Sequence, residues 1–110
     1  MKILSIKLGD KTFQSGKITL YLTREALKLQ KDALALGDKA KNMIDDTDEV
    51  AAGEMLDGIL DLMDRKMWLI CEVYGNQFTP EVIENVLSSE DVDLEVNKII
   101  GVASGVIEKN

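Results

Sequence analysis

Histidine is absent from the 110-residue chain, and cysteine, proline and tryptophan occur once each. The missing histidine rules out a Ser-His-Asp or Cys-His catalytic set. With Cys71 as the lone thiol, a zinc site lacks ligands and an intramolecular disulfide lacks a partner. A single thiol also suits a reducing cytoplasm. One proline and 5% aromatics argue against a proline-rich linker and against a stacking platform for bases. No apolar run approaches the roughly 20 residues of a membrane span. The start, Met-Lys-Ile-Leu-Ser-Ile-Lys-Leu8, alternates and shows no continuous apolar stretch of a signal peptide.

What is present is a chain that is 45% hydrophobic and 30% charged, enough for one core and one domain spanning 1–110. The net charge of −7 is divided unevenly. Residues 1–42 hold nine Lys/Arg against four Asp/Glu, or +5; residues 43–110 hold four against sixteen, or −12. Overall acidity disfavours nucleic acid and anionic lipid as partners. The two signs suit charge pairing within the chain or between copies in a homo-oligomer.

The pattern predicts a mostly α fold with a short N-terminal β-hairpin, an α+β chain with a small bundle of three to four helices. Residues 1–22 read as the β element and 23–110 as helical. Ile3, Leu4, Ile6 and Leu8 alternate with polar residues, Gly9-Asp10 is a turn, and Phe13 with residues 17–22 supplies a second stretch. Thr23 is the expected cap of the first helix, whose apolar positions are Ala26, Leu29, Ala33, Leu36, Ala40 and Met43. Gly37 is its weak point, where fraying or a kink is expected. A second helix is expected over 50–74. Its apolar residues, Ala52, Met55, Leu56, Ile59, Leu60, Leu62, Met63, Met67, Leu69, Ile70, Val73 and Tyr74, fill an arc of roughly 200° at 100° per residue. A surface helix needs about half of that, so this one touches more than one packing layer. Gly75-Asn76 stops it. Thr79-Pro80-Glu81 opens a short helix with threonine as cap, and a last helix is expected over 94–107.

Several patterns resemble chemistry without supplying it. Asp45, Asp46, Asp48 and Glu49 suggest a calcium loop, but counting from Asp45 puts Val50 at the sixth position and Leu56 at the twelfth. An EF-hand requires Gly and Glu there. An exposed acidic loop that caps the next helix is the better reading. Glu54, Asp57, Asp61 and Asp64 share a helix face. Without a cleft to shift one of them they read as solvated, not as a carboxylate pair for hydrolysis. Gly101 and Gly105 have the spacing that permits close helix approach. Trp68 falls on this acidic side, outside the apolar arc. It is either an interface anchor or a cover over a neighbouring helix or the hairpin. Met55, Met63 and Met67 are adaptable apolar side chains, suited to core filling or to a variable partner.

Taken together, Asp64-Arg-Lys-Met-Trp-Leu-Ile-Cys-Glu-Val-Tyr-Gly75, then Phe78-Thr-Pro-Glu-Val-Ile-Glu84, an acidic stretch at Glu90–Asp93 and an amphipathic last helix resemble the gpG-like tail assembly chaperones of long-tailed phages of Gram-positive bacteria. The resemblance implies a protein that is not an enzyme and takes no cofactor or metal. It implies binding to the long, helical, aggregation-prone tape measure protein, kept soluble for tail tube polymerisation. It also implies a frameshifted longer form that recruits the major tail tube protein, the ending Ile-Glu-Lys-Asn110 suiting the short form. Its place would be the cytoplasm of an infected or lysogenic host, not the mature virion. Met55, Ile59, Met63, Met67 and Trp68 are the residues expected to touch client or self. The competing reading is a structural tail or head-completion protein in an oligomeric ring. A small regulator docking helix-in-groove on a host protein is a further one.

Overall fold

A computed structural model describes residues 3–42 and 49–105. Its elements run β1 (Ser5–Leu8), β2 (Lys11–Gln14), α1 (Leu20–Asn42), α2 (Glu49–Val73), α3 (Pro80–Val86) and α4 (Ser89–Ala103). The expected hairpin-plus-helices architecture is what forms.

The hairpin is antiparallel, pairing Ser5 with Gln14 and Leu8 with Lys11 across the Gly9-Asp10 turn. Gly9 takes φ 64°, a conformation open to a residue without Cβ. Beyond the strands, Ser15 N–H donates to Leu4 O at 2.8 Å and Leu4 N–H to Ser15 Oγ at 2.9 Å. The alternation of β1 buries Leu4, Ile6 and Leu8 against the helices. A two-stranded hairpin is marginal alone, and this packing stabilises it.

The second strand is shorter than its sequence suggests, because residues 20–22 belong to α1. The cap moves one turn back from Thr23 to Thr19. Thr19 Oγ1 accepts from Leu22 N–H at 3.3 Å, and Thr19 O accepts from Thr23 N–H at 2.9 Å. Starting there lets Leu22 join Ala26 and Leu29 in the core. The helix runs unbroken through Gly37, where an added Cβ would meet nothing within 4 Å. Ala33 and Leu36 are half-buried and Ala40 is exposed. Met43 and the acidic residues 45–48 lie outside the described residues.

α2 ends as expected. Asn76 N–H reaches Cys71 O at 2.8 Å and Gly75 N–H reaches Glu72 O at 3.1 Å, with φ of 70° at Gly75 and 59° at Asn76. This double closure satisfies carbonyls that the last turn leaves free. Pro80 opens α3, but the Thr79 hydroxyl makes no capping bond; only its carbonyl is used, by Val82 and Ile83. α4 begins at Ser89, five residues before the expected Leu94. Ser88 Oγ accepts from Asp91 N–H at 3.1 Å while Asp91 Oδ2 accepts from Ser88 N–H at 3.2 Å. This reciprocal box nucleates the helix inside what reads as an acidic linker. α4 closes at Ala103, with Gly105 beyond it at φ 80°, so Gly101 and Gly105 do not share a helical face. Val106 and Ile107, expected in the last helix, lie outside the described residues.

α2 is the hub. It packs on α1, α3 and α4, and α1 also packs on α4. Tyr74, Leu69, Ile70, Ile83 and Ile99 are fully enclosed where these helices meet. Phe78 bridges this core to the hairpin, edge-on to Phe13 at 5.0 Å. Gln77 Nε2 ties the same corner by donating to Gln14 O at 2.9 Å and Tyr74 O at 2.8 Å.

Candidate functional site: an apolar groove over the second helix

The wide arc of α2 divides along its length. Its later part, including Leu62, Leu69, Ile70 and Val73, is core, as is Tyr74 just past its end. Its earlier part is left open, with Leu56 59% and Leu60 58% exposed. Length explains the division. α2 has 25 residues and α3 only seven. At about 1.5 Å per residue α3 covers little more than a quarter of that span.

The open part forms the floor of a groove with a volume near 590 Å³. Met55, Ile59, Leu60, Met63 and Met67 lie along the floor. α1 supplies one wall through Ala33, Leu36, Gly37 and Ala40. The other wall comes from α3 and the start of α4, through Ile83, Glu84, Leu87, Val92 and Asp93. Gly58 sets the approach of the α1 wall: a Cβ built there would stand 3.2 Å from Leu36 Cδ1. Along the groove, Lys66 Nζ donates to Asp93 Oδ1 at 2.8 Å.

Four of the five expected contact residues, Met55, Ile59, Met63 and Met67, meet in this groove. Trp68 does not. It faces α1, edge-on to Tyr21 at 6.4 Å, and borders a second cleft with Glu25, Leu29 and Arg65, with Asp64 on the ridge shared with the groove. Its acidic-side placement follows from helical arithmetic; the tyrosine across from it does not. Asp57 and Asp61 are exposed, as are Glu54 and Asp64. The link between basic α1 and acidic α2 is inverted relative to their overall charge: Arg65 Nη1 of α2 holds Asp32 Oδ2 of α1 at 2.9 Å.

A polar knot beneath the core is invisible to periodicity. Tyr74 Oη donates to Glu95 Oε2 at 2.7 Å, Lys98 Nζ lies 3.1 Å from Glu95 Oε1, and Lys98 also donates to Ser5 O at 3.1 Å. The knot ties α2, α4 and β1 together. Burial, then the hydrogen bond and the charge of Glu95, hold the Tyr74 phenol far above its ordinary range. Burial, aided by Glu72, pushes the Cys71 thiol up to about 11, so it is protonated and unreactive at neutral pH. Among the described residues no three His, Cys, Asp or Glu side chains gather as metal ligands, and no helix is long and apolar enough to cross a membrane. The groove can bury apolar surface and form ion pairs at its edges.

The fold is a small helical bundle whose groove, among the described residues, presents an uncovered apolar floor between helical walls. A family model of phage tail chaperone proteins matches residues 1–110, and the chain belongs to that family. No curated protein and no solved structure matches it.

Proposed function

We propose that this tail chaperone binds the tape measure protein of its phage and holds it soluble until tail tube subunits polymerise around it. The observation that carries the reading is the groove: contiguous apolar surface that the described residues leave uncovered, in a chain of net charge −7. Exposed apolar patches rimmed by polar residues mark interaction sites. Net charge keeps a protein soluble while it displays one. Met55, Met63 and Met67 can repack around many similar client segments, and repeated weak contacts along a long client sum to firm retention. Residues 1–110 act in this reading as one non-enzymatic domain in the host cytoplasm. A frameshifted longer form would recruit the major tail tube protein.

The test is co-expression with tape measure fragments. The fragments should stay soluble and co-purify with the chain, Met63→Ser should weaken that capture, and purified virions should lack the chain. Its stoichiometric presence in virions would defeat the reading.

One observation favours self-association as a second reading. Leu20, Leu27 and Leu34 are exposed seven residues apart on basic α1. Such a row can meet the acidic flank of α2 in another copy, as a homo-oligomer or the ring of a structural tail or head-completion protein. Sedimentation at low salt decides it; a monomer at high concentration would exclude it.

A further inference from the structure

We infer that the groove takes its client as an amphipathic α-helix whose apolar stripe is flanked by lysine or arginine, read by Asp64 and Glu84. This rests on the groove being the client site, and it specifies the chemistry of what enters.

Two features of the groove point to a helix. Both walls and the floor come from helices, whose backbone groups already bond one another. An extended segment laid on these side chains would leave its own amides and carbonyls without partners, whereas a helix satisfies them internally. The floor from Met55 to Met67 covers thirteen residues of α2, twelve helical steps. That is about 18 Å, enough for about three turns of a docked helix.

Charge completes the description. Among the described residues, Asp64, Lys66, Glu84 and Asp93 are the charged side chains that line the groove. Lys66 is taken by Asp93. Among the described residues neither Asp64 nor Glu84 has an ion-pair or side-chain hydrogen-bond partner. The groove therefore offers two uncompensated carboxylates, one from α2 and one from α3, beside an apolar floor. A helix with cations beside its stripe pairs with both; one with carboxylates there is repelled.

Fluorescence anisotropy of the full chain with labelled peptides of about 18 residues tests this. The probes share leucines at helical spacing and carry lysines, glutamates, or lysines plus a central proline. The lysine peptide should bind about tenfold more tightly than the glutamate peptide, with a preference that shrinks at high salt. Asp64→Asn with Glu84→Gln should erase the preference; Glu54→Gln with Asp61→Asn, the same charge change outside the groove, should keep it. Equal binding of the lysine and glutamate peptides overturns the inference and leaves the client reading standing. Equal binding of the proline peptide overturns the helical form. A self-associated species that the lysine peptide cannot displace shows the groove filled by a second copy and also overturns it. Loss of tape measure capture in Met63→Ser, together with indifference to peptide charge, would confine the failure to the charge reading.

Discussion

Tyr74 and Glu95 meet through a 2.7 Å hydrogen bond, with the tyrosine 0% and the glutamate 6% exposed. A carboxylate this deep is tolerable because the phenol and Lys98 take up its two oxygens. Tyr74→Phe removes one donor and leaves the acid partly unpaired. The expected loss is about 1–3 kcal/mol in urea unfolding, with Glu95→Gln milder than Glu95→Ala. Similar stability for Glu95→Gln and Glu95→Ala would show that the hydrogen bond contributes little.

Both raised acids imply alkaline sensitivity. The fold favours the neutral form of Tyr74 and of Cys71. Each contribution is whole below the unfolded value and is lost as pH climbs past it. For Cys71 the window runs from 9.0 to about 11; for Tyr74 it opens near pH 10 and extends higher. Thermal melts should hold steady near neutrality and fall above about pH 9, and Tyr74→Phe should flatten the steeper part of that fall.

The groove and the tryptophan should separate by mutation. Met63 is 40% exposed, so Met63→Ser should cost the fold no more than about 0.5 kcal/mol while weakening client capture. Trp68→Ala removes the contact with Tyr21 and should lower stability by about 1 kcal/mol or more while leaving capture intact. Reversal of that pattern would move the client surface to the α1 side.

Two loop-end residues carry helix boundaries. Ser88→Ala should cost about 1 kcal/mol by freeing the first amides of α4. Gly75→Ala should cost about 1 kcal/mol, since φ 70° strains a residue with Cβ. Urea midpoints measure both, and a neutral Gly75→Ala would mean that the turn relaxes.

Gly58→Ala sets two effects against each other. Alanine gains up to about 1 kcal/mol of helix propensity over glycine. Its Cβ, 3.2 Å from Leu36 Cδ1, must push that leucine aside. Leu36 borders open groove and has room to turn, so the variant should be at least as stable as the parent. Client capture should fall as the wall shifts inward.

Much of this fold is legible because its punctuation is chemical. Gly75-Asn76 and Pro80 are residues with few conformational alternatives, and the structure uses them where the sequence places them. The start of α1 is less legible, since Thr19 and Thr23 are equally good caps and burial of Leu22 decides between them. The start of α4 hides because Ser88 and Asp91 cap each other amid acids that resemble a linker. The width of the α2 arc announces spare apolar surface, and four of the five expected contacts line the groove that results. Trp68 stands apart from the other four, beside Tyr21, because periodicity gives the side a residue faces, not what stands across from it. Glu95 carries no signal at all: on a helical wheel it is one more acid, and only the position of Tyr74 makes it a core residue.

A floor of thioethers has a chemical weakness that leucines would not share. Peroxide converts exposed methionine to its sulfoxide, which is polar and chiral. Met63 stands open to solvent, with Met55 and Met67 half-covered beside it. Oxidation of the exposed Met63 would wet the groove at little cost to the fold, whereas oxidation of Met67, packed against the core, would also loosen it. On the proposed reading of the groove as the client site, that change would weaken client capture until the sulfoxide is reduced again.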